Sequence, residues 1–196
     1  MTRLLLVRHG ESEWNAAGRW QGWGDPPLTD LGRQQAARAA EALAGSVDHV
    51  ATSDLARARQ TADILASALG IGDVDVDPDL RELDVGEWTG LTNDELVERF
   101  PDEIARWRNG PRTAPPRGEH YDAFGERIAR GLGRLAAAHP RGSVVVVAHG
   151  GVIGRLERDL DCHPGRAPSH LEARWFEIAS ELRVASDRVD LLAQPS

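Results

Sequence analysis

The run of four valines at Val144–Val147 is the sequence feature that most constrains the fold. Four consecutive β-branched residues predict a strand that is buried on both faces, as in the middle of a parallel sheet. Leu4–Val7 is a second short apolar run, and it predicts a buried strand before Gly10. Because helical patterns separate the strand patterns, we predict an α/β fold, a three-layer α/β/α sandwich around a mainly parallel sheet.

The remaining elements follow from apolar periodicity and from capping residues. Thr29 or Asp30 is expected to cap one helix, and Ser53 or Asp54 to cap the next. The pattern predicts helices over about 29–44, 53–69, 93–100 and 124–139 and after 151, and strands at 47–51, 74–76, 173–178 and 182–192. Length suits one domain over residues 1–196, with a small cap or lid around 91–120, because residues 109–118 hold three prolines and two glycines.

Two histidines directly follow predicted buried strands. His9 follows the first strand, and His149 follows the valine strand. In parallel sheets, ligands bind at the carboxyl ends of the strands. The sequence therefore predicts that these two histidines share a binding site.

Composition excludes several classes of function. The net charge of −8 argues against nucleic-acid binding, which requires a basic face. All 23 basic residues are arginine, so lysine Schiff-base chemistry and a Walker-type phosphate loop are impossible. The single cysteine, Cys162, excludes an internal disulfide and a multi-cysteine zinc site.

Other exclusions concern metals and membranes. Four further histidines show no metal-ligand spacing and are expected on the surface, namely His49, His139, His163 and His170. Only four apolar residues follow Met1-Thr2-Arg3, too few for a signal peptide or a membrane span, so no membrane contact and a cytoplasmic location are expected.

Five ordered segments carry a family resemblance that spans about residues 3 to 155. They are Arg8-His9-Gly10-Glu11-Ser12-Glu13-Trp14-Asn15 with Gln21-Gly22-Trp23-Gly24-Asp25, Ser53-Asp54-Leu55-Ala56-Arg57-Ala58-Arg59, Leu80-Arg81-Glu82-Leu83, Gly86-Glu87-Trp88-Thr89-Gly90 and Val147-Ala148-His149-Gly150-Gly151. Together they resemble the histidine phosphatase superfamily, in the branch shared with cofactor-dependent phosphoglycerate mutases. The resemblance implies a phosphoglycerate mutase-like fold.

The resemblance also implies roles for individual residues. His9 would be the nucleophile, Glu82 the general acid, and Arg8, Arg57 and His149 the rest of the phosphate pocket. Two arginines match the charge of a phosphate monoester, so no metal and no cofactor are expected. The Gly150 N–H and the side chains of Asn15 and Gln21 are expected to hold further oxygens.

Several assignments stay open at the level of sequence. The alternative roles of Glu82 are an ion pair with Arg81 and the capping of a turn. Arg59 is the main rival to Arg57, although residues two apart on a helix face different sides. Some nearby residues either contact substrate or only support the loops, namely Trp14, Trp20, Trp23, Arg112, Arg117 and His120. In relatives, Gly-Gly-Glu-Ser often stands where this chain has Arg117-Gly118-Glu119-His120.

Three functions fit this reading. The first is a phosphomonoester hydrolase that acts through phosphohistidine on a small phosphorylated metabolite. The second is a phosphoglycerate mutase, which is disfavoured because residues 91–118 contain neither lysine nor an Arg-Arg pair. The third is a non-catalytic phospholigand-binding module. A homodimer through a sheet edge is left open.

Overall fold

A six-stranded mixed sheet forms the centre of the molecule. The computed structural model describes residues 1–193. The strands are β1 (Thr2–Arg8), β2 (His49–Thr52), β3 (Val74–Val76), β4 (Ser143–Ala148), β5 (Glu172–Ile178) and β6 (Leu182–Asp190). Their order in the sheet is β3-β2-β4-β1-β5-β6.

The predicted central strand is confirmed. β4 lies between β1 and β2 and is parallel to both. β5 and β6 close the other side of the sheet as antiparallel strands. Arg8 pairs with Ala148 in the β1–β4 register, so His9 and His149 leave neighbouring strands at the same edge.

Helices cover both faces of the sheet. They are α1 (Glu13–Ala16), α2 (Asp30–Leu43), α3 (Ala56–Leu69), α4 (Asn93–Arg99), α5 (Pro101–Asn109), α6 (Tyr121–Ala138) and α7 (Gly150–Asp159). None of these helices, which lie within residues 1–193, is long and apolar enough to cross a membrane.

The alternation of side chains along β4 produces two separate cores. Val145 and Val147 face α2 and α3, in a cluster that includes Leu43 and Leu65. Val144 and Val146 face the opposite side, where α6 and α7 pack with the 80–107 segment. This arrangement confirms the three-layer α/β/α sandwich, and it explains why four adjacent valines are fully buried.

The start of α3 differs from the expected one. Neither Ser53 nor Asp54 caps this helix, and Leu55 is its N-cap residue without a side-chain hydrogen bond. The Ser53 hydroxyl is hydrogen-bonded to His149, and Asp54 pairs with Arg81. Both side chains are thus engaged in tertiary contacts that local sequence cannot reveal.

Candidate active site

A cavity of about 320 Å³ opens at the carboxyl ends of β1 and β4. We call the part of the cavity around His9 its inner end; the charged and polar residues there are Arg8, His9, Asn15, Gln21, Arg57 and Glu82. We call the remainder its outer end; its lining includes Arg112, Arg19 and the aromatic and aliphatic side chains of Trp20, Leu83, Val85, Trp107, Tyr121 and Phe124. The cavity therefore combines an anion-binding end with a largely apolar wall.

His9 is held as one tautomer. Its Nδ1 lies 2.7 Å from the Gly10 carbonyl oxygen, which can only accept, so Nδ1 carries the proton. Its Nε2 accepts a hydrogen bond from Arg57 Nε at 3.2 Å. Nε2 is thus the unprotonated ring nitrogen, and its lone pair is the one that can act as a nucleophile.

The surroundings of His9 keep its ring neutral. Burial lowers the pKa of His9 well below its ordinary 6.5, and the charges of Arg57 and Arg8 lower it further. Only 3% of His9 is exposed, so water cannot compensate a charge on the ring.

Arg57 is fixed by backbone oxygens. Its Nη1 donates to the Gly24 carbonyl at 2.8 Å and its Nη2 to the Gly22 carbonyl at 2.9 Å. Burial lowers its pKa to about 10, so the guanidinium stays charged near neutral pH. Arg59, its rival, is exposed and pairs with Asp63, which agrees with the choice of Arg57.

Arg8 supplies the second fixed cation. Its Nη1 donates to the Pro168 carbonyl at 2.7 Å, while its Nε is buried without a partner in residues 1–193. Burial lowers the pKa of Arg8, and the charge of Glu82 opposes that effect. An unsatisfied buried donor beside His9 is suited to an anion.

His149 lies against His9. The two ring centroids are 5.3 Å apart, and His149 is fully buried. Its Nε2 is 2.7 Å from the Ser53 hydroxyl, and its Nδ1 has no partner among the described residues. Burial and the charge of Arg57 lower the pKa of His149 well below 6.5, so its ring is neutral.

Glu82 lines the same cavity as His9 and Arg57. Its Oε2 accepts from the Gly151 N–H at 2.9 Å, and its Oε1 accepts from the Leu83 N–H at 2.8 Å. The alternative ion pair is absent, because Arg81 pairs with Asp54. Glu82 is therefore positioned by backbone donors and lies in the cavity with its carboxylate free of an arginine partner in the described residues.

Arg127 positions the segment that carries Glu82, a role that sequence reasoning missed. It is buried, and it donates to the backbone carbonyls of Asp79, Arg81 and Glu82 at 2.7–2.9 Å. Glu119 holds its other edge with two hydrogen bonds. The glutamate of Arg117-Gly118-Glu119-His120 thus has a structural partner, which the sequence pattern did not identify.

The expected oxygen-binding groups lie at the cavity. The amide oxygens of Asn15 and Gln21 each lie 2.9 Å from the Ser12 hydroxyl, whose single proton serves one of them at a time, and the amide nitrogens of both side chains remain available as donors. Gly150 is the first residue of α7 and also lines the cavity. The N-terminal N–H groups of a helix favour an anion at this place.

Of the three tryptophans near His9, one lines the cavity and two support the surrounding loops. Trp20 lines the cavity. Trp14 packs so tightly on the loop that a Cβ at Gly24 would come within 2.4 Å of its ring. Trp23 donates from Nε1 to the Glu82 carbonyl at 2.8 Å and thus supports the Glu82 segment.

Of the three residues singled out in the lid, one lines the cavity, one is exposed and one caps a helix. Arg112 lines the cavity, in a position where it can contact a substrate. Arg117 is 85% exposed and lies beside Glu87. His120 is the N-cap residue of α6, which is the simpler of its two expected roles.

His170 is a correction to the sequence reading. It was expected on the surface, but its ring centroid lies 6.3 Å from that of His9, and its Nε2 is buried without a partner in residues 1–193. Burial and the charge of Arg8 lower the pKa of His170 to about 4. No spacing signal could have placed it there, because it follows β4 by more than 20 residues.

The chain is similar to known proteins over most of its length. A family model described as "Histidine phosphatase superfamily (branch 1)" matches residues 4–183. A bifunctional protein of Mycobacterium tuberculosis is 42% identical over 197 residues, which cover 98% of this chain and 54% of that protein. The chain thus spans about half the length of that relative.

Two further matches extend over most of both chains. A glucosyl-3-phosphoglycerate phosphatase of Mycolicibacterium vanbaalenii is 40% identical over 197 residues, covering 94% of this chain and 87% of the relative. The solved structure of a mycobacterial glucosyl-3-phosphoglycerate phosphatase in complex with VO3 has a TM-score of 0.83 and 31% identity, and covers 94% of this chain and 97% of that chain.

Proposed function

Because the chain belongs to branch 1 of the histidine phosphatase superfamily, we propose that it is a phosphomonoester hydrolase that acts through a phosphohistidine on a small phosphorylated metabolite. The observation that carries the proposal is the state of His9, whose Nε2 lone pair faces Arg57 while Nδ1 is fixed by a backbone carbonyl. Arg8, Glu82 and His149 surround this nucleophile.

In the first step, His9 Nε2 forms a bond to phosphorus as the bond from phosphorus to the leaving oxygen breaks. The phosphoryl group takes the place of the Arg57 contact at Nε2, and the guanidinium of Arg57 then holds a phosphoryl oxygen. Arg8, His149 and the amides of Asn15 and Gln21 stabilise the charge that develops on the other oxygens. Protonated Glu82 gives its proton to the leaving alcohol.

In the second step, the carboxylate of Glu82 acts as a general base. Glu82 accepts a proton from water as the water oxygen forms a bond to phosphorus. The bond between phosphorus and His9 Nε2 breaks, which releases inorganic phosphate and restores the free ring. A group that switches between acid and base needs the fixed position that Gly151 and Leu83 give to Glu82.

We propose that hydrolysis needs no metal. The two positive charges of Arg8 and Arg57 match the roughly two negative charges of a phosphate monoester. Activity should therefore survive exhaustive treatment with EDTA. Loss of activity, restored by a divalent cation, would contradict this part of the proposal.

Hydrolysis is preferred over mutase activity because of the lid. Residues 91–118 carry neither a lysine nor an Arg-Arg pair to hold a second phosphorylated acid during transfer. The test supplies 3-phosphoglycerate with and without 2,3-bisphosphoglycerate. Free phosphate is expected in both cases, whereas rapid interconversion of phosphoglycerates with little free phosphate would indicate a mutase.

We also propose that the chain acts as one domain, with residues around 91–120 as a cap over the cavity. Trp107 and Arg112 support this assignment, because both come from that segment and line the cavity. A homodimer and a cytoplasmic location stay predictions.

The direct test is hydrolysis of p-nitrophenyl phosphate by the wild type and by His9→Ala. We expect the variant to lose activity and the wild type to form a phosphoenzyme that is labile in acid and stable in alkali. His139→Ala is the matched control, because His139 pairs with Asp75 away from the cavity. Full activity in His9→Ala would refute the mechanism, and no activity in the wild type would favour the binding module.

A further inference from the structure

A cluster of buried charges lies beside the candidate active site and takes no part in the proposed chemistry. It joins α7 and the loop that follows α7 to β5 and β6, and its members are Glu157, Arg166, Glu172, Arg174 and Arg188. The side chains of Glu157 and Glu172 are only 0% and 6% exposed. Carboxylates buried this deeply are costly unless they are paired and hydrogen-bonded, so the partners of each one show what it holds in place.

Glu157 holds the closing strands against α7. Its carboxylate accepts from Arg174 Nη1 at 3.0 Å and from Arg188 Nε at 2.7 Å. Arg174 lies on β5 and Arg188 lies on β6. The contacts of Glu157 therefore serve the packing of the fold.

Glu172 holds the loop itself. Its Oε2 accepts from the Ser169 N–H at 2.8 Å and from Arg166 Nη1 at 2.6 Å. Arg188 lies 3.6 Å from the same oxygen and donates to the Arg166 carbonyl at 3.0 Å. The loop is thus fixed on both sides of Pro168.

The peptide bond between Pro168 and Ser169 connects Glu172 to the active site. Its N–H donates to Glu172, and its carbonyl oxygen accepts from Arg8 Nη1 at 2.7 Å. A trans peptide unit is planar, and its N–H and C=O point in opposite directions, so fixing the N–H also fixes the direction of the C=O. A hydrogen bond from the N–H to a carboxylate also polarises the unit, which makes its oxygen a stronger acceptor.

Arg8 depends on this one peptide for its orientation. Among residues 1–193, the Pro168 carbonyl is the one hydrogen-bond acceptor of the Arg8 guanidinium. Arg57 differs, because two backbone carbonyls and His9 hold its guanidinium. A shift of the loop would therefore displace Arg8 and leave Arg57 in place.

We propose that Glu172 is a positioning residue for Arg8 and acts through the peptide between Pro168 and Ser169. The proposal rests on the role of Arg8 in the phosphate pocket of the proposed hydrolase. Glu172 is not among the described residues that line the cavity, so its effect on a bound phosphate is indirect. Its loss weakens the hold on the phosphoryl group, whichever alcohol the substrate carries.

The Glu172→Ala variant removes this hold and should still fold. Arg188 keeps Glu157 as its partner, and Arg166 is 57% exposed, so water can solvate its charge. Glu177→Ala is the matched control, because Glu177 also lies on β5 and also pairs with an exposed arginine, Arg183.

The kinetic signature is a loss that does not depend on the leaving group. We expect Glu172→Ala to lower kcat/KM about tenfold for p-nitrophenyl phosphate and equally for glycerol 3-phosphate, with little change in Glu177→Ala. Glu172→Gln should restore most of the activity, since its amide oxygen can still accept from the Ser169 N–H. A lower unfolding temperature in Glu172→Ala with unchanged kcat/KM would show that Glu172 is merely structural.

Double-mutant cycles identify the residue through which Glu172 acts. In an Arg8→Met background, Glu172→Ala should lower kcat/KM less than about twofold, because the positioned group is already gone. In an Arg57→Met background, the loss of about tenfold should remain. Equal further losses in the two backgrounds would overturn the proposal.

Binding of inorganic phosphate separates this proposal from the proposed function. In calorimetric titrations, Glu172→Ala should bind phosphate about tenfold more weakly than the wild type and Glu177→Ala equally well. If the wild type hydrolyses nothing but phosphate binding follows this pattern, the function is wrong and the positioning role stands. If p-nitrophenyl phosphate is hydrolysed and both variants match the wild type in rate and binding, the positioning role is wrong and the function stands. A wild type that neither hydrolyses nor binds phosphate would overturn both.

Discussion

The two ends of the active-site cavity are built differently. At the inner end, the arginines are fixed by the backbone, Arg57 by the carbonyls of Gly22 and Gly24 and Arg8 by that of Pro168. At the outer end, Arg112 is held by ring faces alone, on a loop that follows α5. The inner end therefore has fixed geometry, whereas the outer end depends on side-chain packing of the lid.

Under the proposed function, the inner end would carry out the reaction and the outer end would select the leaving group. Every phosphate monoester presents the same reacting group, so a rigid inner end serves all substrates and gains rate from preorganised donors. Leaving groups differ, and the segment that meets them is a proline-rich loop outside the sheet. Loops on a fixed scaffold are where such differences are ordinarily encoded.

The largest loss of activity among these predictions is expected from a substitution at the inner end of the cavity. Arg57→Lys removes the fork that joins two carbonyls to His9, because an ammonium cannot reproduce three directed bonds. We expect kcat/KM to fall about a thousandfold for every substrate. Arg59→Lys, on the exposed face of the same helix, is the control in steady-state assays. Equal losses in the two variants would show that the fork is not required.

A smaller effect is expected at the boundary between the ends. Glu82→Gln removes the proton donor, so kcat/KM for glycerol 3-phosphate, which reports the steps up to departure of the leaving group, should fall about a hundredfold. The loss should be smaller for p-nitrophenyl phosphate, since nitrophenolate leaves without a proton. Glu87→Gln, exposed in the same segment, serves as control. If both substrates lose activity equally, Glu82 does not act as the acid.

Gly151→Ala tests the position of the acid and not its presence. A Cβ at this position would lie 2.0 Å from Glu82 Oε1, and the carboxylate can move away because it ends a flexible side chain. We expect kcat for glycerol 3-phosphate to fall about tenfold with little change in the unfolding temperature.

Gly133→Ala provides the matched control for that substitution. Nothing lies within 4 Å of a Cβ at Gly133, which is inside α6. This variant should gain up to about 1 kcal/mol of stability and keep its kcat. If Gly151→Ala also kept its kcat, the contact with Glu82 would not position the acid.

The smallest expected effect concerns pH and stability. The pKa values of His9 and His149 are lowered well below 6.5, and that of His170 to about 4, so the folded state leaves these rings neutral. The unfolded chain protonates them near pH 6.5 and then binds more protons than the folded state. Stability must therefore fall as the pH falls from about 6.5 towards 4.

Thermal unfolding at pH 7 and pH 5 measures this effect. The wild type should unfold at a lower temperature at pH 5, and His170→Gln should lose less than the wild type over the same interval. His139→Gln is the control. Equal losses in the wild type and His170→Gln would show that His170 is not held neutral by its surroundings.

Much of the fold was predictable from particular runs. Val144–Val147 predicted the central strand, and Thr29 predicted the N-cap of α2, since both signals depend on local pattern. α5 was not predicted, because the helix expected over about 93–100 was placed to end before Pro101, whereas Pro101 occupies the first turn of a new helix. The caps proposed for α3 were wrong, since Ser53 and Asp54 contact partners far along the chain.

The sequence by itself determined the α/β class and predicted candidate reactive residues at the inner end, because strand ends and family motifs are local in the chain. Only the tertiary structure decided the tautomer of His9, the pairing of Arg127 with Glu119, the place of His170, and the position of Arg112 in the cavity wall. The places of His170 and Arg112 depend on contacts between residues distant in sequence. The contacts of His9 with Gly10 and of Arg127 with Glu119 join residues closer in sequence, but they depend on backbone and side-chain orientations that the fold sets. Hydrophobic pattern and spacing carry no signal for either kind of contact.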